Sequence, residues 1–220
     1  MVDLSPGGIW LLLDAAGPVS TIGLLSEGEW KGTTQEEGDF LEWHADATRV
    51  LLGENSLSLE DLSGAIYASG PGSSLGLRLA AMFIRSLLQV PALAHWQCLQ
   101  YHNLELALAT GGASRWNELV APWRRDCLHI ARLEKRTPLG FQKDALRIDE
   151  GRPLPAHGIL LGRRPANQLQ AIEWHPYPAR DIPATIFAFP ELLTAVDVPL
   201  PYVAEEPEFA RWSPRRHGAE

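Results

Sequence analysis

The sequence is poor in cysteine and contains no long hydrophobic run. Its two cysteines, Cys98 and Cys127, form no Cys-x-x-Cys pair, which is typical of a reducing compartment and excludes a disulfide framework. No apolar run reaches the roughly 18 residues of a membrane helix. The first residues lack the basic segment and long apolar centre of a signal peptide. We therefore expect a cytoplasmic protein with no membrane contact.

Positive charge is also scarce, since 19 basic residues face 27 acidic ones and the net charge is −8. A protein that holds nucleic acid mainly by its own field needs a basic surface, so the charge argues against that mode of binding and leaves a local basic patch open. Hydrophobic residues make up 45% of the 220 positions, which is enough for one large domain or two small lobes.

The first half of the chain alternates between strand and helix patterns. Short apolar runs and turn residues predict strands, whereas apolar residues at helical spacing predict helices. The expected strands are 9–14, 20–25, 29–34, 63–68 and 92–96, and the expected helices are 40–52, 77–88 and 97–110. Three antiparallel strands followed by alternating units predict an α/β fold, with a mixed sheet flanked by helices as in the ribonuclease-H-like lobe of two-lobed actin-like proteins.

The second half is rich in proline, with 11 of the 17 prolines after residue 150, so long helices are not expected there. Strands are expected at 119–123, 127–133, 145–148 and 159–161. The stretch "GGAS" (111–114) is the predicted boundary between an N-terminal lobe, 1–110, and a smaller lobe, 111–220.

The loop "GPGSSLGLR" (70–78) lies between an expected strand and an expected helix. Two interpretations are open. Its backbone N–H groups could bind phosphate at a helix N-terminus, with Asp14, Gly70, Gly72 and Ser73 as the candidate nucleotide site. Alternatively, the glycines could let a helix of a partner subunit approach closely, or they could serve packing within this chain alone. The loop lacks the lysine of a P-loop, and Ala15–Ala16 offer no hydroxyl to a phosphate, so packing is favoured.

The stretch "SGAIYASGPGSSLGLRLAAMFIRSLL" (63–88) resembles the signature region of the bacterial TsaB (YeaZ) family, which reads roughly G-P-G-S-F-T-G-L-R-I-G before a helix. The resemblance includes "IWLLLDAAG", "FLEWHADATRVLL", "VPALAHWQCLQYHNLELALA" and "LVAPWRRDCLHIARL", and covers roughly residues 8–133. The family is the non-catalytic partner in tRNA threonylcarbamoyladenosine (t6A) synthesis.

Three departures from the family pattern remove polar groups. Ser74-Leu75 replaces Phe-Thr, Asp14-Ala15-Ala16 replaces Asp-Thr-Ser, and Pro122-Trp123 replaces the acid before the paired arginines. The Gly-Pro-Gly turn and Leu77-Arg78 remain. This pattern favours a scaffold over an enzyme.

The resemblance implies a non-catalytic subunit that activates a TsaD-type catalytic subunit, works with a TsaE-type ATPase, forms a homodimer in isolation and touches tRNA only indirectly. It also implies that two helices contact the partner. The expected contact residues are Leu41, His44, Ala45, Thr48, Gly72, Ser74, Leu75, Gly76, Arg78, Leu79, Met82 and Phe83.

No catalytic residue, cofactor or metal site is expected. The catalytic paralogue of the family binds its metal through His-x-x-x-His, but no two of the seven histidines here are four residues apart. Two alternative functions stay open, namely an actin-like-fold enzyme that binds a nucleotide and a homodimeric scaffold that has left the pathway.

Overall fold

The computed structural model contains two mixed sheets with helices packed between and beside them. The residues it describes are 4, 7–37, 41–110, 116–124, 127–135, 140–147, 153–161, 169 and 171–202. The strands are β1 (Trp10–Asp14), β2 (Val19–Ser26), β3 (Glu29–Glu37), β4 (Gly64–Gly70), β5 (Gln97–His102), β6 (Glu118–Arg124), β7 (Cys127–Lys135), β8 (Gly140–Arg147), β9 (His157–Leu160), β10 (Glu173–Pro176) and β11 (Thr194–Ala195). The helices are α1 (Leu41–Glu54), α2 (Ser74–Leu87), α3 (Asn103–Thr110) and α4 (Ile182–Ala188).

Five strands of the first sheet share their order with the five strands of the second, and β11 is an additional edge strand of the first sheet. The first runs β11-β5-β4-β1-β2-β3 and the second runs β10-β9-β6-β7-β8. In each, three antiparallel strands form a meander, and two further strands add in parallel beside the first strand of the meander. The expected mixed-sheet, two-lobed α/β fold is thus confirmed, and the second half repeats the topology of the first.

Strand β1 is buried on both faces because its side chains alternate between two hydrophobic clusters. Leu11 and Leu13 pack with residues of α1 and α2, whereas Trp10 and Leu12 join the cluster around α3. A strand covered on both faces reads as a continuous apolar run, which explains the sequence "WLLLD". The α3 cluster also contains residues of the second sheet, such as Leu119 and Ile159.

Most elements of the first half agree with the sequence patterns, but one helix prediction is wrong in its first half. Residues 97–110 do not form one helix, since β5 occupies Gln97–His102 and only Asn103–Thr110 is helical. Parallel pairing with β4 decides this, with Leu99 opposite Ile66. Because both faces of β5 are covered, "CLQY" lacks the strict alternation of a half-exposed strand.

The strand expected at 92–96 is also absent. A short 3₁₀ turn begins at Pro91 instead and ends at Leu93. Proline suits the first position of such a turn because its φ is already helical and its missing N–H needs no partner there. Trp96 is then buried, and its indole N–H donates to the carbonyl oxygen of Leu59 over 3.1 Å.

In the second half the expected strands at 119–123, 127–133, 145–148 and 159–161 correspond to β6, β7, β8 and β9 with shifted ends. The predicted lobe boundary at 111–114 lies outside the described residues, and the division into two lobes at that point stays a prediction. Within the described part of the chain, no helix is long and apolar enough to cross a membrane.

Candidate functional site

The glycine loop brings two backbones into contact. The N–H of Ser73 donates to the carbonyl oxygen of Ala16, in the turn between β1 and β2, over 2.7 Å. A Cβ placed on Gly72 would lie 2.6 Å from both Cα and Cβ of Ala16. Real carbon atoms do not approach so closely, so only glycine permits this contact without a shift of the backbone.

The start of α2 is capped by its own chain. Ser73 is the N-cap residue, and its hydroxyl accepts a hydrogen bond from the N–H of Gly76 over 3.1 Å. The N–H groups of Ser73 and Gly76 are therefore both engaged within the protein. Donors that bind their own chain cannot also cradle a phosphate without breaking those bonds.

Asp14 ends β1 as a buried carboxylate that accepts four hydrogen bonds. One oxygen, Oδ2, accepts from the hydroxyls of Tyr101 (2.7 Å) and Tyr177 (2.8 Å) and from the amide of Asn103 (3.4 Å). The other, Oδ1, accepts from the N–H of Ala16 over 3.0 Å. Both oxygens are thus occupied by the chain itself, and Tyr177 connects the second half of the chain to the first.

Burial dominates the electrostatics of this centre. Desolvation raises the pKa of Asp14 above its ordinary value, although the hydrogen bonds from Tyr101, Ala16, Tyr177 and Asn103 oppose the shift. Burial and the nearby carboxylate also raise the pKa values of the two tyrosines. A carboxyl group enclosed in this way joins residues from β5, α3 and the segment after β10.

A groove of about 440 Å³ runs between α1 and α2. Its walls are mainly apolar and are formed by Ala45, Thr48, Arg49, Leu52, Gly53, Leu57, Leu59, Phe83 and Leu87. Beside it, the outer face of α2 exposes Leu75 and Met82, which are 56% and 55% accessible. These two residues are seven apart, which places them on the same side of the helix two turns from each other.

The residues expected at a partner contact differ in their exposure. Gly72, Ser74, Leu75, Arg78, Met82 and Ala45 are exposed, whereas Leu79 is half-buried and the side chain of Leu41 lies outside the described residues. Thr48 and Phe83 are largely buried but line the groove. The contact itself stays a prediction for all of them.

His44 and Gly76 are placed inside the chain, which corrects the expectation that they face a partner. The His44 ring is 1% exposed and lies 5.9 Å from the ring of Phe83, so it fills the space between α1 and α2. Gly76 is buried in the first turn of α2, where its N–H is used by the cap. Helical spacing predicted that α1 and α2 exist, but it did not predict which of their faces pack against each other.

Two solved structures match this fold closely along its length. An uncharacterised Pseudomonas aeruginosa protein, described as similar to peptidase YEAZ, has a TM-score of 0.64 and 18% identity, and the match covers 90% of this chain and 100% of that one. YeaZ from Pseudomonas aeruginosa has a TM-score of 0.62 and 18% identity, with 89% and 99% covered. The chain has the YeaZ fold. No family model matches the sequence, and no curated protein does.

Within the YeaZ fold, sequence reasoning singled out Asp14 but missed the residues that surround it. Tyr101 lies within β5, where the sequence pattern predicts a helix, and Asn103 begins α3 directly after that strand. Tyr177 comes from the second half of the chain. Placing Gln97–His102 as a strand would have put Tyr101 beside the end of β1, because parallel strands end at the same edge of a sheet. No sequence signal pointed to Tyr177.

Replacing Gly72 by alanine tests the backbone contact. We expect Gly72→Ala to lower the free energy of unfolding by about 1–3 kcal/mol, because the new methyl group must displace the turn at Ala16. Urea denaturation measures the change. Gly53→Ala is the matched control, since a Cβ at Gly53 meets nothing within 4 Å and alanine favours a helix. Equal effects of both substitutions would contradict the proposed contact.

Replacing Tyr177 by phenylalanine tests the Asp14 centre. The lost hydrogen bond should cost about 1.5–3 kcal/mol when Asp14 is ionised and about 0.5–1.5 kcal/mol when it is neutral. Because folding raises the pKa of Asp14, protonation of this carboxyl group stabilises the folded protein. That stabilisation is fully present below the unfolded pKa, 3.8, and is lost as the pH rises through the folded pKa. The deficit of Tyr177→Phe should therefore widen as pH rises.

Urea denaturation of both proteins from about pH 4 to 8 measures this deficit. The same substitution in an Asp14→Asn background is the control, and there the deficit should not change with pH. A constant deficit in the native background would mean that Asp14 and Tyr177 are not coupled.

Proposed function

We propose that this protein is a non-catalytic subunit of the t6A machinery, which binds a TsaD-type catalytic subunit through α1 and α2 and stabilises its active arrangement. The YeaZ fold along about 90% of the chain supports this proposal. The observation that carries it is the apolar groove between α1 and α2, next to exposed Leu75 and Met82.

The groove has the features of a protein-binding surface. Its walls are mainly apolar, α2 also exposes Leu75 and Met82, and the exposed charged residues Arg49 and Arg78 lie on the two helices that form it. Interfaces commonly combine an apolar centre with a charged rim of this kind. A partner that binds only in its competent state is shifted toward that state by mass action.

The non-catalytic role is supported by how the chain uses its polar groups. Both oxygens of Asp14 accept bonds from the protein, and the turn after it contributes Ala15 and Ala16, which have no hydroxyl. The glycine loop contacts this turn directly. The nucleotide site considered at Asp14, Gly70, Gly72 and Ser73 would require these contacts to open.

The same surface is proposed to form a homodimer when the catalytic subunit is absent. A second copy would cover Leu75 and Met82 in the same manner, so the two assemblies compete. The TsaE-type ATPase and the tRNA would be reached through the complex, which agrees with the net charge of −8.

Replacing Met82 by glutamate tests this surface, because a charge at the centre of an apolar contact must be desolvated without a partner. We expect Met82→Glu to weaken binding of the TsaD-type subunit at least about tenfold, equivalent to about 1.4 kcal/mol. Pull-down and titration with the purified catalytic subunit measure this. Val198→Glu is the control, because Val198 is similarly exposed, at 53%, but does not belong to α1 or α2.

Three results would count against the proposal. One is no association at micromolar concentration, and another is equal weakening by both substitutions. The third is normal t6A in tRNA from cells that lack the gene, which would favour the homodimeric scaffold. Calorimetry with Mg²⁺ and ATP tests the alternative of an actin-like-fold enzyme that binds a nucleotide. A dissociation constant for ATP below about 10 μM, or about −7 kcal/mol, would favour that alternative.

A further inference from the structure

Strands β9 and β10 bring two histidines and a glutamate together on one face of the second sheet. The strands are parallel, and Glu173 pairs with His157 in the register. His175 follows Glu173 by two residues, so both side chains project from the same face of β10. The face they share is the one on which Ile159 contributes to the hydrophobic cluster around α3.

The ligating atoms lie at distances suited to a common metal ion. His157 Nδ1 is 3.2 Å from His175 Nε2 and 3.5 Å from Glu173 Oε2, and Glu173 Oε1 is 3.8 Å from His175 Nε2. One ligand atom from each residue can be chosen so that all three lie within 4.8 Å of one another. Ligands about 2.0–2.1 Å from a tetrahedral zinc ion are separated by about 3.3–3.4 Å, so these distances require little adjustment.

The histidine rings are held in place by their surroundings. The buried indole of Trp116 lies 4.7 Å from the His175 ring and 6.0 Å from the His157 ring, measured between centroids. Packing of this kind limits ring rotation, which lowers the entropy cost of fixing the ligands. Glu173 is the most exposed member, with a side chain that is 68% accessible.

We propose that His157, Glu173 and His175 form a binding site for a divalent transition-metal ion of the zinc type. Two imidazole nitrogens and one carboxylate oxygen suit zinc, cobalt or nickel better than magnesium or calcium, which favour oxygen ligands alone. Three protein ligands leave a fourth coordination position for water or a small ligand. A cavity of about 290 Å³, lined by Trp116, His175 and Tyr177 among others, adjoins the site and can hold that ligand.

The two histidines of this site are not related by a local sequence spacing. A spacing of four residues brings histidines together only on a helix. His157 and His175 are 18 residues apart and meet because their strands are neighbours. The other described histidines, 44, 95, 102 and 129, are not part of this group.

Titration of the metal-free full-length chain with zinc chloride, in competition with a chromophoric chelator, tests the proposal. We expect about one equivalent to bind with a dissociation constant below about 10 μM. The double variant His157→Gln/His175→Gln should lose this equivalent, and Glu173→Gln should weaken it. His95→Gln is the matched control, because His95 is an exposed histidine that does not belong to the proposed site. This variant should bind zinc as the native chain does.

Cobalt(II) provides an independent readout, because its visible absorption depends on coordination number and donor type. We expect the native chain to give the intense bands of a four-coordinate nitrogen and oxygen site, and the double variant to give only the weak spectrum of the hydrated ion. Bound zinc should also raise the melting temperature of the native chain, since a ligand that binds only the folded state stabilises it.

The proposal is overturned if the native chain and the double variant bind zinc equally, or if neither binds at micromolar concentration. In that case the three residues form only a hydrogen-bonded cluster. Should the double variant fail to fold, Glu173→Gln decides the outcome, because the exposed Glu173 side chain can be changed with little effect on packing. Unchanged zinc affinity in Glu173→Gln would then exclude the carboxylate as a ligand.

Discussion

The structure depends on one close contact, in which the Gly-Pro-Gly turn after β4 lies directly against the turn between β1 and β2. Gly72 and Ala16 touch through their backbones, and the Ser73 N–H binds the Ala16 carbonyl. This contact fixes where α2 begins and therefore how α2 packs beside α1. The groove between those helices and the exposed face with Leu75 and Met82 follow from it. The same contact leaves the two turns bound to each other by the hydrogen bond from Ser73 to Ala16.

Asp14 adds a second constraint, because it connects the two repeated halves. Its carboxylate binds Tyr101 and Asn103 at the end of β5 and Tyr177 just after β10. Burying a charge is costly unless several donors surround it, and here the desolvation is strong enough to raise the pKa of Asp14. Asp14 therefore joins residues from both halves of the chain through one buried carboxyl group.

These two constraints separate the surfaces that are available for function. Helices α1 and α2 pack on the first sheet, and the groove between them has mainly apolar walls. The cluster of His157, Glu173 and His175 belongs to the second sheet, beside a cavity that includes Tyr177. Partner binding and metal binding would therefore use different parts of the molecule. Tyr177 links that cavity to Asp14, since it lines the cavity and its hydroxyl donates a hydrogen bond to the Asp14 carboxylate.

The sequence by itself determined the class of fold, most of the first-half elements and the structural importance of the glycine loop, because these depend on local periodicity and on residues with unusual backbone freedom. Parallel pairing with β4, and not local preference, made Gln97–His102 a strand. The partners of Asp14, the burial of His44 and the meeting of His157 with His175 were likewise decided only by the tertiary structure. Each joins residues whose spacing has neither helical nor strand periodicity. Such contacts are set by which strands become neighbours and which helix faces meet, and that is a property of the whole chain.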